Sequence, residues 1–490
     1  MTPFSIADLV RGSQGALVGG RLDTVLTGVS IDSRTARRGD AFFAIRGHHQ
    51  DGHAFVEGAR TREVGAVVVR HLPAEVTVLD DFPVVLVGDT TLALQRLGAF
   101  HRRRHSIPLV GITGSNGKTT TKELTAGVLA VRLRILKAAG SQNNQWGVPL
   151  TLLGIEPRHE AAVLEFGMNA FGEIAAHARL AQPTIGVVTT ISPAHLEGVG
   201  SIEGVQKAKG ELVEAIPSDG LVILNADDAL VAALADRAQA RVMTYGQAAS
   251  ADVRLGDVVA TATDIAFTLS TARETAAVRL PLPGRHNAWH AAAAATVGLV
   301  LGIPLADAAR ALAQATGVKG RLVWREAGGV HILDDTYNAN PTSLRAALDV
   351  LAEAGTEAPD EASAGRPGPT WAPGTVPATG ARRWVVLGDM LELGLASEAA
   401  HRDAGAWVAA LPVAGLATAG GGMRLAADAA RAAGCPDVAS FDTPEAAAAH
   451  VAVRVTPGDR VLVKGSRGMR MERAVEALVA ALERGERAQC

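Results

Sequence analysis

Short apolar runs alternate with alanine- and leucine-rich stretches along most of the chain. Apolar runs bounded by turn residues indicate strands, and stretches with apolar residues three and four positions apart indicate helices. The runs that we interpret as strands cover residues 109–112, 163–166, 185–190, 221–224, 385–387 and 461–463. Because strands that alternate with helices form parallel sheets covered by helices, the pattern predicts an α/β fold.

Two changes in this pattern divide the 490 residues into three predicted domains. Residues 1–105 carry shorter runs between Gly- and Asp-containing turns, which indicates a small mixed α/β domain. A central domain at residues 106–318 ends where an alanine-rich helix pair at residues 290–315 gives way to glycine and a new strand pattern. Residues 319–490 form the third domain, and a typical domain size of roughly 100–200 residues agrees with this division. The N-terminal runs lie at residues 25–31, 41–45, 66–69 and 84–87.

Residues 356–383, inside the third domain, have a different composition. They are rich in Pro, Gly, Ala and Thr and contain almost no large aliphatic side chains. Such a segment buries too little surface to offset the entropy of ordering it. We therefore predict a flexible surface insertion there.

Charge and cysteine content exclude several classes of protein. The chain has 47 Lys and Arg against 50 Asp and Glu, a net charge of −3, whereas nucleic-acid binding requires a basic excess. The most apolar stretch, residues 291–301, is shorter than the roughly 20 residues of a membrane span, and residues 1–20 lack a secretion signal. Two cysteines, Cys435 and Cys490, support neither a disulfide framework nor a cysteine metal site. We expect a cytoplasmic protein without nucleic-acid or membrane partners.

The strongest local motif is Gly111-Ile-Thr-Gly-Ser-Asn-Gly-Lys-Thr-Thr120, between a predicted strand and a helical pattern at residues 121–131. Glycines at positions 114 and 117 allow backbone amides to close around an anion at a helix N-terminus. Lys118 would then reach the β- and γ-phosphates of a nucleotide, and Thr119 would ligate Mg²⁺. The spacing differs from the strict P-loop rule, because Ile112 stands where that rule has glycine. The alternative interpretation is a structural glycine turn before a helix.

Polar residues also follow other predicted strands. Since ligands of parallel sheets gather at the carboxyl ends of the strands, these residues are candidates for a common site. Glu165 is either a magnesium ligand facing the phosphates or a salt-bridged strand end. His195 is either a ligand or a hydrogen-bonded loop residue, and Lys209, on a probable helix, is either functional or part of a solvated face.

Three later segments complete the candidate site. Asn287, at the start of the alanine-rich helix, either contacts an adenine edge or caps the helix. The loop at residues 334–341 packs two acids, two asparagines and a tyrosine after a strand, which favours a ligand site over a capped turn. Lys464 and Arg467 follow the last predicted strand in a glycine-bearing loop, a natural anion site.

Together these segments resemble the Mur ligase family of ATP-dependent amide-forming enzymes, over essentially the whole chain. The family-level matches are Thr113-Gly-Ser-Asn-Gly-Lys-Thr-Thr120, Glu165, His195, Lys209, Gly284-Arg-His-Asn287 and Gly320-Arg321. Residues 194–198, 207–211, 335–343 and 386–394 are similar to the member that joins D-alanyl-D-alanine to UDP-N-acetylmuramoyl-tripeptide. The member that adds a diamino acid to the dipeptide precursor shares Asp32-Ser-Arg34 and Asp51-Gly-His53. It usually carries an Asp-Asn-Pro-Arg motif that this sequence lacks.

The resemblance implies a three-domain Mur ligase architecture. An N-terminal domain would bind the UDP-sugar-peptide, followed by a central parallel-sheet P-loop ATPase domain and a Rossmann-like C-terminal domain. The implied cofactors are ATP and two Mg²⁺ ions, with a carbamate formed on Lys209 from CO₂. The implied partners are UDP-N-acetylmuramoyl-tripeptide and D-alanyl-D-alanine, bound by a monomer.

The resemblance also implies individual roles. Catalytic roles fall to Lys118, Lys209, His195 and Arg321, and metal ligation to Thr119, Glu165, His195 and Lys209. Nucleotide contacts fall to Thr113, Gly114, Ser115, Asn116, Gly117, Lys118, Thr119, Thr120, Asn287, Arg321 and Asp335. Substrate contacts fall to Ser33, Arg34, Asn143, Asn144, Asn338, Asn340 and Lys464. Two other classes of activity remain open from the phosphate loop alone, namely an ATPase that forms no bond and a phosphoryl-transfer kinase.

Overall fold

The computed structural model describes residues 1–47, 50–72, 82–354 and 380–485. Over these ranges the larger sheets follow one another along the chain, each covered by helices. A short pair of strands, β1 (Phe4–Ser5) with β3 (Val25–Leu26), accompanies the first sheet. None of the helices in the described ranges combines the length and apolar character that crossing a membrane requires.

The N-terminal region has a mixed sheet of order β2-β7-β6-β5-β4, in which β2 is antiparallel to its neighbour. Alternate residues of β5 point to opposite faces, so Phe43 packs beneath α1 and α3 while Phe42 joins a second cluster with Val56 of α2. The remaining elements are β2 (Ala16–Gly19), β4 (Gly28–Ser30), β5 (Asp40–Phe43), β6 (Ala66–Val69), β7 (Val84–Leu86), α1 (Ile6–Ser13), α2 (Val56–Arg60), α3 (Thr90–Arg102) and a 3₁₀ helix at Gly52–Phe55.

The central region is built on a sheet of order β16-β15-β14-β13-β12-β11-β8-β10-β9. Its strands are β8 (Leu109–Thr113), β9 (Ile135–Lys137), β10 (Ala161–Glu165), β11 (Ile185–Val188), β12 (Leu221–Asn225), β13 (Arg241–Gly246), β14 (Val253–Ala260), β15 (Ile265–Ser270) and β16 (Thr275–Leu280). Its helices are α4 (Lys118–Leu129), α5 (Gly147–Leu153), α6 (Glu173–Ala181), α7 (Leu196–Val199), α8 (Ile202–Ala215), α9 (Ala229–Ala232), α10 (Asn287–Val300) and α11 (Leu305–Leu312), with a 3₁₀ helix at Ala233–Arg237.

This sheet has its topological switch point at β8. The chain leaves β8 toward β10 on one side and returns to β11 on the other, and all three strands run parallel. A crevice therefore opens beyond their carboxyl ends, where ligands of open α/β sheets bind. The loop that follows Thr113 lies in this crevice.

The C-terminal region has a sheet of order β17-β18-β22-β19-β20-β21, parallel except for β17 at one edge. Its strands are β17 (Val323–Ala327), β18 (Val330–Asp335), β19 (Arg383–Gly388), β20 (Gly415–Ala419), β21 (Asp437–Phe441) and β22 (Arg460–Lys464). Its helices are α12 (Pro341–Glu353), α13 (Ser397–Ala409), α14 (Met423–Ala432), α15 (Pro444–Ala452) and α16 (Glu472–Arg484), with 3₁₀ helices at Gly394–Ala396 and Arg467–Met469.

The structure differs from the sequence interpretation in several elements. The central sheet is not parallel throughout, because β14, β15 and β16 pair antiparallel at its far edge. The apolar run at residues 25–31 is two strands, since β3 pairs with β1 while β4 pairs with β5. Helix α4 begins at Lys118, three residues before the predicted pattern.

The predicted insertion at residues 356–383 lies outside the described residues as far as position 379. Its last residue was assigned wrongly, because Arg383 begins strand β19 and is buried. The side chain of Arg383 donates from Nε to the carbonyl of Leu351 at the end of α12. A strand that begins with a buried arginine does not register as an apolar run, which explains the error.

Candidate active site

The loop between β8 and α4 requires glycine at two positions. Gly114 has φ +151° and Gly117 has φ +80°, both in the region that favours glycine. A Cβ on Gly114 would lie 1.9 Å from Oγ1 of Thr189, and one on Gly117 would lie 2.1 Å from Cε1 of His290. The two glycines therefore allow the loop to lie directly against β11 and α10.

Hydrogen bonds fix the loop to the strand beside it. The Ser115 amide donates to the carbonyl of Thr190 at 2.8 Å, and the Ser115 hydroxyl donates to the carbonyl of Ser192 at 2.9 Å. The Thr189 hydroxyl donates to the carbonyl of Asn116 at 2.6 Å. Because Gly117 has no side chain to cap α4, the first-turn amides of the helix face the crevice as anion donors.

Lys118 lies over this loop. Its Nζ donates to the carbonyl of Gly114 at 2.7 Å and to that of Ser115 at 3.3 Å. Burial lowers the pKa of Lys118 to about 8, with Arg321 acting in the same direction and Glu165 against it. A lysine held over a glycine loop at a helix N-terminus is suited to bind a polyphosphate.

A hydroxyl and a carboxylate meet below the loop. Thr119 Oγ1 donates to Glu165 Oε2 at 2.7 Å, and it accepts from Arg321 Nη2 at 2.9 Å. Ser141 completes the group, with its Oγ 3.0 Å from that of Thr119. Glu165 is fully buried, and its Oε1 has no hydrogen-bond partner among the described residues.

The unpartnered Oε1 of Glu165 is a candidate ligand for Mg²⁺. Mg²⁺ binds proteins through one or two carboxylates and completes its shell with water and substrate phosphates. Glu165 Oε1 and the hydroxyl of Thr119, next to the phosphate loop, fit that donor set. Within the described ranges, no group of three or more His, Cys, Asp or Glu side chains is arranged to hold a metal ion.

Lys209 and His195 lie on the next elements around the crevice. Lys209, on α8, is 1% exposed. Burial lowers the pKa of Lys209 well below its usual value, and the charge of Lys118 adds to that effect. His195 lines the cleft and its Nδ1 lies 2.7 Å from Glu392 Oε2 of the C-terminal region. That hydrogen bond lowers the pKa of Glu392.

The C-terminal region supplies the opposite wall. The amide groups of Asn340 and Asn116 pair reciprocally, with Asn340 Nδ2 donating to Asn116 Oδ1 at 2.8 Å and the return bond at 3.4 Å. Lys464 is 2% exposed and donates to Asp335 Oδ2 at 2.5 Å and to the carbonyl of Asn338 at 2.9 Å. Lys464 and Asp335 are therefore held within their own domain.

These elements enclose a cleft of about 830 Å³ between the central and C-terminal regions. The sequence-predicted residues that line it are Ser115, Asn116, Gly117, Lys118, Thr119, Thr120, Asn143, Asn144, His195, Asn287, Arg321, Asp335, Asn338, Asn340 and Lys464. Those that do not line it are Thr113, Gly114, Glu165, Lys209, Ser33 and Arg34. Glu165 and Thr113 lie in the strands just behind the loop, whereas Ser33 and Arg34 lie in the turn after β4 of the N-terminal region.

In the N-terminal region, Arg34 and Asp32 form a paired fork. Arg34 Nε donates to Asp32 Oδ1 at 2.9 Å and Nη2 donates to Oδ2 at 2.7 Å. This pairing lowers the pKa of Asp32 to about 2. The Arg34 side chain is 86% exposed in the turn after β4, so it is accessible to a further ligand.

Trp289 and Asp227 line the cleft but were given no role in the sequence interpretation. Trp289 Nε1 donates to Asp227 Oδ2 at 2.6 Å, and both residues line the cleft beside Asn287. The Asn287 amide itself donates to the carbonyl of Pro283 at 2.7 Å. The ring of Tyr337 lies 4.2 Å from the Arg321 guanidinium. Tyr337 belongs to the loop that the sequence predicts as a ligand site. Trp289 and Asp227 are far apart in the sequence, and only the folded chain brings them together.

Domain models of a single family match successive parts of the chain. The Mur ligase family catalytic domain matches residues 25–96, the Mur ligase middle domain matches residues 112–298, and the Mur ligase glutamate ligase domain matches residues 374–467. The chain belongs to the Mur ligase family. The family resemblance inferred from the sequence motifs is thereby confirmed.

Some relatives within the Mur ligase family match this chain over nearly its whole length. UDP-N-acetylmuramoyl-tripeptide--D-alanyl-D-alanine ligases of Bacillus subtilis and Escherichia coli are 33% and 34% identical to it, over 98% of each chain. A crystal structure of MurF from Acinetobacter baumannii matches with a TM-score of 0.83 at 31% identity, covering 98% of this chain and 99% of that one. MurF ligase from Thermotoga maritima in complex with ADP has a TM-score of 0.76 at 26% identity, covering 94% and 98%. These matches confirm the predicted three-domain Mur ligase fold.

Proposed function

We propose that this chain is an ATP-dependent ligase that joins D-alanyl-D-alanine to UDP-N-acetylmuramoyl-tripeptide, producing the UDP-muramoyl pentapeptide, ADP and phosphate. The similarity to enzymes of that name extends over nearly the whole chain. The observation that carries the proposal is the convergence of Lys118, Thr119 and Arg321 on one cleft between two domains, with Glu165 hydrogen-bonded to Thr119 behind it. That arrangement suits a reaction between two anions.

In the first step, the tripeptide carboxylate attacks the γ-phosphorus of ATP, and ADP leaves as an acyl phosphate forms. Because a carboxylate and a triphosphate repel each other, positive charge must surround the reacting atoms. Lys118 supplies charge at the loop, and Arg321 supplies charge from the opposite wall. Bound Mg²⁺ would neutralise the phosphate oxygens, held by Thr119 and Glu165 at one position and by His195 and Lys209 at a second.

Lys209 suits the second position only in modified form, because an ammonium repels a metal ion. Burial lowers the pKa of Lys209 well below its usual value, which favours the uncharged amine. An uncharged amine can attack the carbon of CO₂ and lose a proton, which yields a carbamate anion. We propose that this carbamate acts as the carboxylate-like ligand beside His195.

In the second step, the dipeptide amine attacks the carbonyl carbon of the acyl phosphate, and the tetrahedral intermediate expels phosphate as the amine loses a proton. An acyl phosphate hydrolyses in water, so the two cleft walls must close around it. We assign adenine contacts to Asn287, ribose contacts to Asp335, and UDP contacts to Ser33 and Arg34. Asn143, Asn144, Asn338, Asn340 and Lys464 are assigned to the peptide and dipeptide.

Phosphate release tests the proposed function. Purified protein would receive ATP, Mg²⁺, UDP-N-acetylmuramoyl-tripeptide and D-alanyl-D-alanine, and each component would be omitted in turn. We expect phosphate only with the complete mixture, together with a product heavier than the tripeptide precursor by the dipeptide minus water. Phosphate release without dipeptide would indicate a plain ATPase, and product formed only from a dipeptide precursor and a diamino acid would indicate the tripeptide-forming relative.

We further propose that the enzyme acts as a monomer in the cytoplasm. The low cysteine content supports a reducing compartment, and the cleft is assembled from one chain. Light scattering during gel filtration tests the monomer, for which the expected mass is 50.5 kDa.

A further inference from the structure

The loop that contains Glu392 belongs to a motif, residues 386–394, to which the mechanism above gives no role. Glu392 follows β19 in the C-terminal region, and its carboxylate faces His195 of the central region. Glu392 Oε2 lies 2.7 Å from His195 Nδ1. The side chain of His195 is 22% exposed and lines the cleft, so the contact closes one side of the ring while the other side remains open to the cleft.

Backbone geometry on both sides supports this contact. His195 has φ +56° and Glu392 has φ +64°, and residues other than glycine adopt this conformation only at an energetic cost. The Glu197 amide also donates to the carbonyl of Glu392 at 3.4 Å. Two strained residues on facing loops, joined through side chain and backbone, form a specific contact between the domains.

We propose that Glu392 is a positioning residue that acts through His195. By accepting a hydrogen bond from Nδ1–H, Glu392 fixes the imidazole tautomer and leaves the Nε2 lone pair available on the cleft side. Histidines that ligate metals generally donate their other ring N–H to a carboxylate or carbonyl, which orients the ring and raises its basicity. The metal-binding role of His195 rests on the proposed function, whereas the tautomer does not.

A consequence for catalysis follows from the positions of the two residues. Since Glu392 lies on the C-terminal domain, His195 is oriented as a ligand only when that domain is docked on the central domain. Glu392 thus links the domain arrangement to the second metal position. An enzyme built in this way avoids assembling its full metal site before the cleft has closed.

The tautomer can be measured in the metal-free full-length protein by ¹⁵N NMR of labelled histidines at pH 8, with His195→Gln identifying the relevant signal. In the unmodified protein we expect His195 to carry its proton on Nδ1. In Glu392→Ala we expect a mixture with the Nε2–H tautomer. Trp324→Phe serves as the control, because it removes the interdomain hydrogen bond from Trp324 Nε1 to the carbonyl of Ala262 and leaves His195 untouched.

Kinetics provide the second readout. Loss of an outer-shell carboxylate typically lowers metal affinity or activity about 10- to 100-fold. We expect Glu392→Ala to lower kcat by that factor and to raise the Mg²⁺ concentration for half-maximal rate, with the KM for ATP unchanged within about twofold. Glu392→Gln, which still accepts a hydrogen bond, recovers part of kcat. Glu398→Ala, whose side chain is 80% exposed nearby on α13, behaves like the unmodified enzyme.

Two results would overturn the proposal. One is an unchanged His195 tautomer in Glu392→Ala with the thermal unfolding curve preserved. The other is Glu392→Ala kinetics equal to those of Glu398→Ala. If Glu392→Ala does not fold, the same comparisons apply to Glu392→Gln. Failure of the unmodified protein to ligate would contradict the proposed function instead, and the tautomer measurement would still stand.

Discussion

The central region contacts the N-terminal region through apolar side chains and the C-terminal region mainly through hydrogen bonds. On the N-terminal side, helix α3 packs against helix α5, and Leu94 and Leu97 share a core cluster with Leu153. The helices approach closely, since a Cβ on Gly98 would lie 2.8 Å from Cβ of Pro149. This boundary is thus part of a continuous apolar core.

The boundary with the C-terminal region is polar. Among the described residues, the large core clusters of the central region end before position 322, and those of the C-terminal region begin there. The contacts that cross the boundary include Asn116–Asn340, His195–Glu392 and the bond from Trp324 to Ala262. Asn116, Asn340 and His195 line the cleft.

We expect the apolar boundary to contribute mainly to stability and the polar boundary mainly to catalysis. Apolar burial contributes roughly 25 cal/mol per Å² and is lost only when the core opens. A hydrogen bond contributes only about 0.5–1.5 kcal/mol net, because water replaces it when the partners separate. A polar boundary can therefore open for substrates and products, whereas the apolar boundary keeps the N-terminal domain fixed to the central domain.

The largest effect is expected on the polar side, from Lys118→Ala. Removing a preorganised cation from the phosphate site should lower kcat about 10³-fold, which corresponds to about 4 kcal/mol. Unfolding should change little, because the lysine contacts only loop carbonyls. Ligation assays check the loss of kcat, and thermal unfolding checks that stability is unchanged. Ligation at the unmodified rate, or failure of the variant to fold, would contradict the assigned role.

The apolar side should respond in the opposite way. Leu94→Ala removes a fully buried side chain from the α3–α5 cluster and should lower the free energy of unfolding by about 2–5 kcal/mol. At temperatures where the variant is folded, kcat should remain within about twofold. Leu92→Ala is the matched control, because Leu92 lies on the same helix and is 42% exposed. A large loss of kcat in folded Leu94→Ala would show that this boundary moves during turnover.

The nucleotide site should also respond to pH. Bound phosphate raises the pKa of Lys118 from about 8, so above pH 8 the binding of ADP takes up a proton. Affinity should fall about fivefold between pH 8 and pH 9, as the protonated fraction of Lys118 falls. Calorimetry at pH 9 in buffers of different ionisation enthalpy should detect close to one proton per ADP, and Lys118→Met should abolish that uptake. Equal uptake by the variant would assign the proton to another group.

The affinity loss would not reflect unfolding through this residue. An unfolded lysine keeps the ordinary pKa of about 10.4, so between pH 8 and that value the unfolded chain binds more protons than the native protein. This difference makes the free energy of unfolding rise with pH across that window. The expected loss of ADP affinity therefore has the opposite sign to the stability change.

Local patterns sufficed to predict some of these features and not others. The phosphate loop was predictable because Gly114, Gly117, Lys118 and Thr119 act within a few residues of one another. The antiparallel edge was missed, although the alternating burial of β14 and β15 follows an alternation that was present in the sequence. His195 and Glu392 are 197 positions apart, and nothing in either segment alone indicates the other.

The smallest effect tests whether the polar boundary contributes to the reaction or only to stability. Asn340 has two tasks, because its amide pairs with Asn116 of the phosphate loop and its Oδ1 caps α12 by accepting from the Ser343 amide at 2.9 Å. Serine is also a good N-cap but is too short to reproduce the amide pair.

Asn340→Ser should thus leave the unfolding free energy within about 0.5 kcal/mol and lower kcat/KM about fivefold, as expected for a lost interdomain hydrogen bond of about 1 kcal/mol. Asn340→Ala should show the same kinetic loss with additional destabilisation of about 1 kcal/mol. Unchanged kcat/KM in Asn340→Ser would mean that the phosphate loop and the C-terminal domain act independently, and the polar contacts would then only hold the domains together.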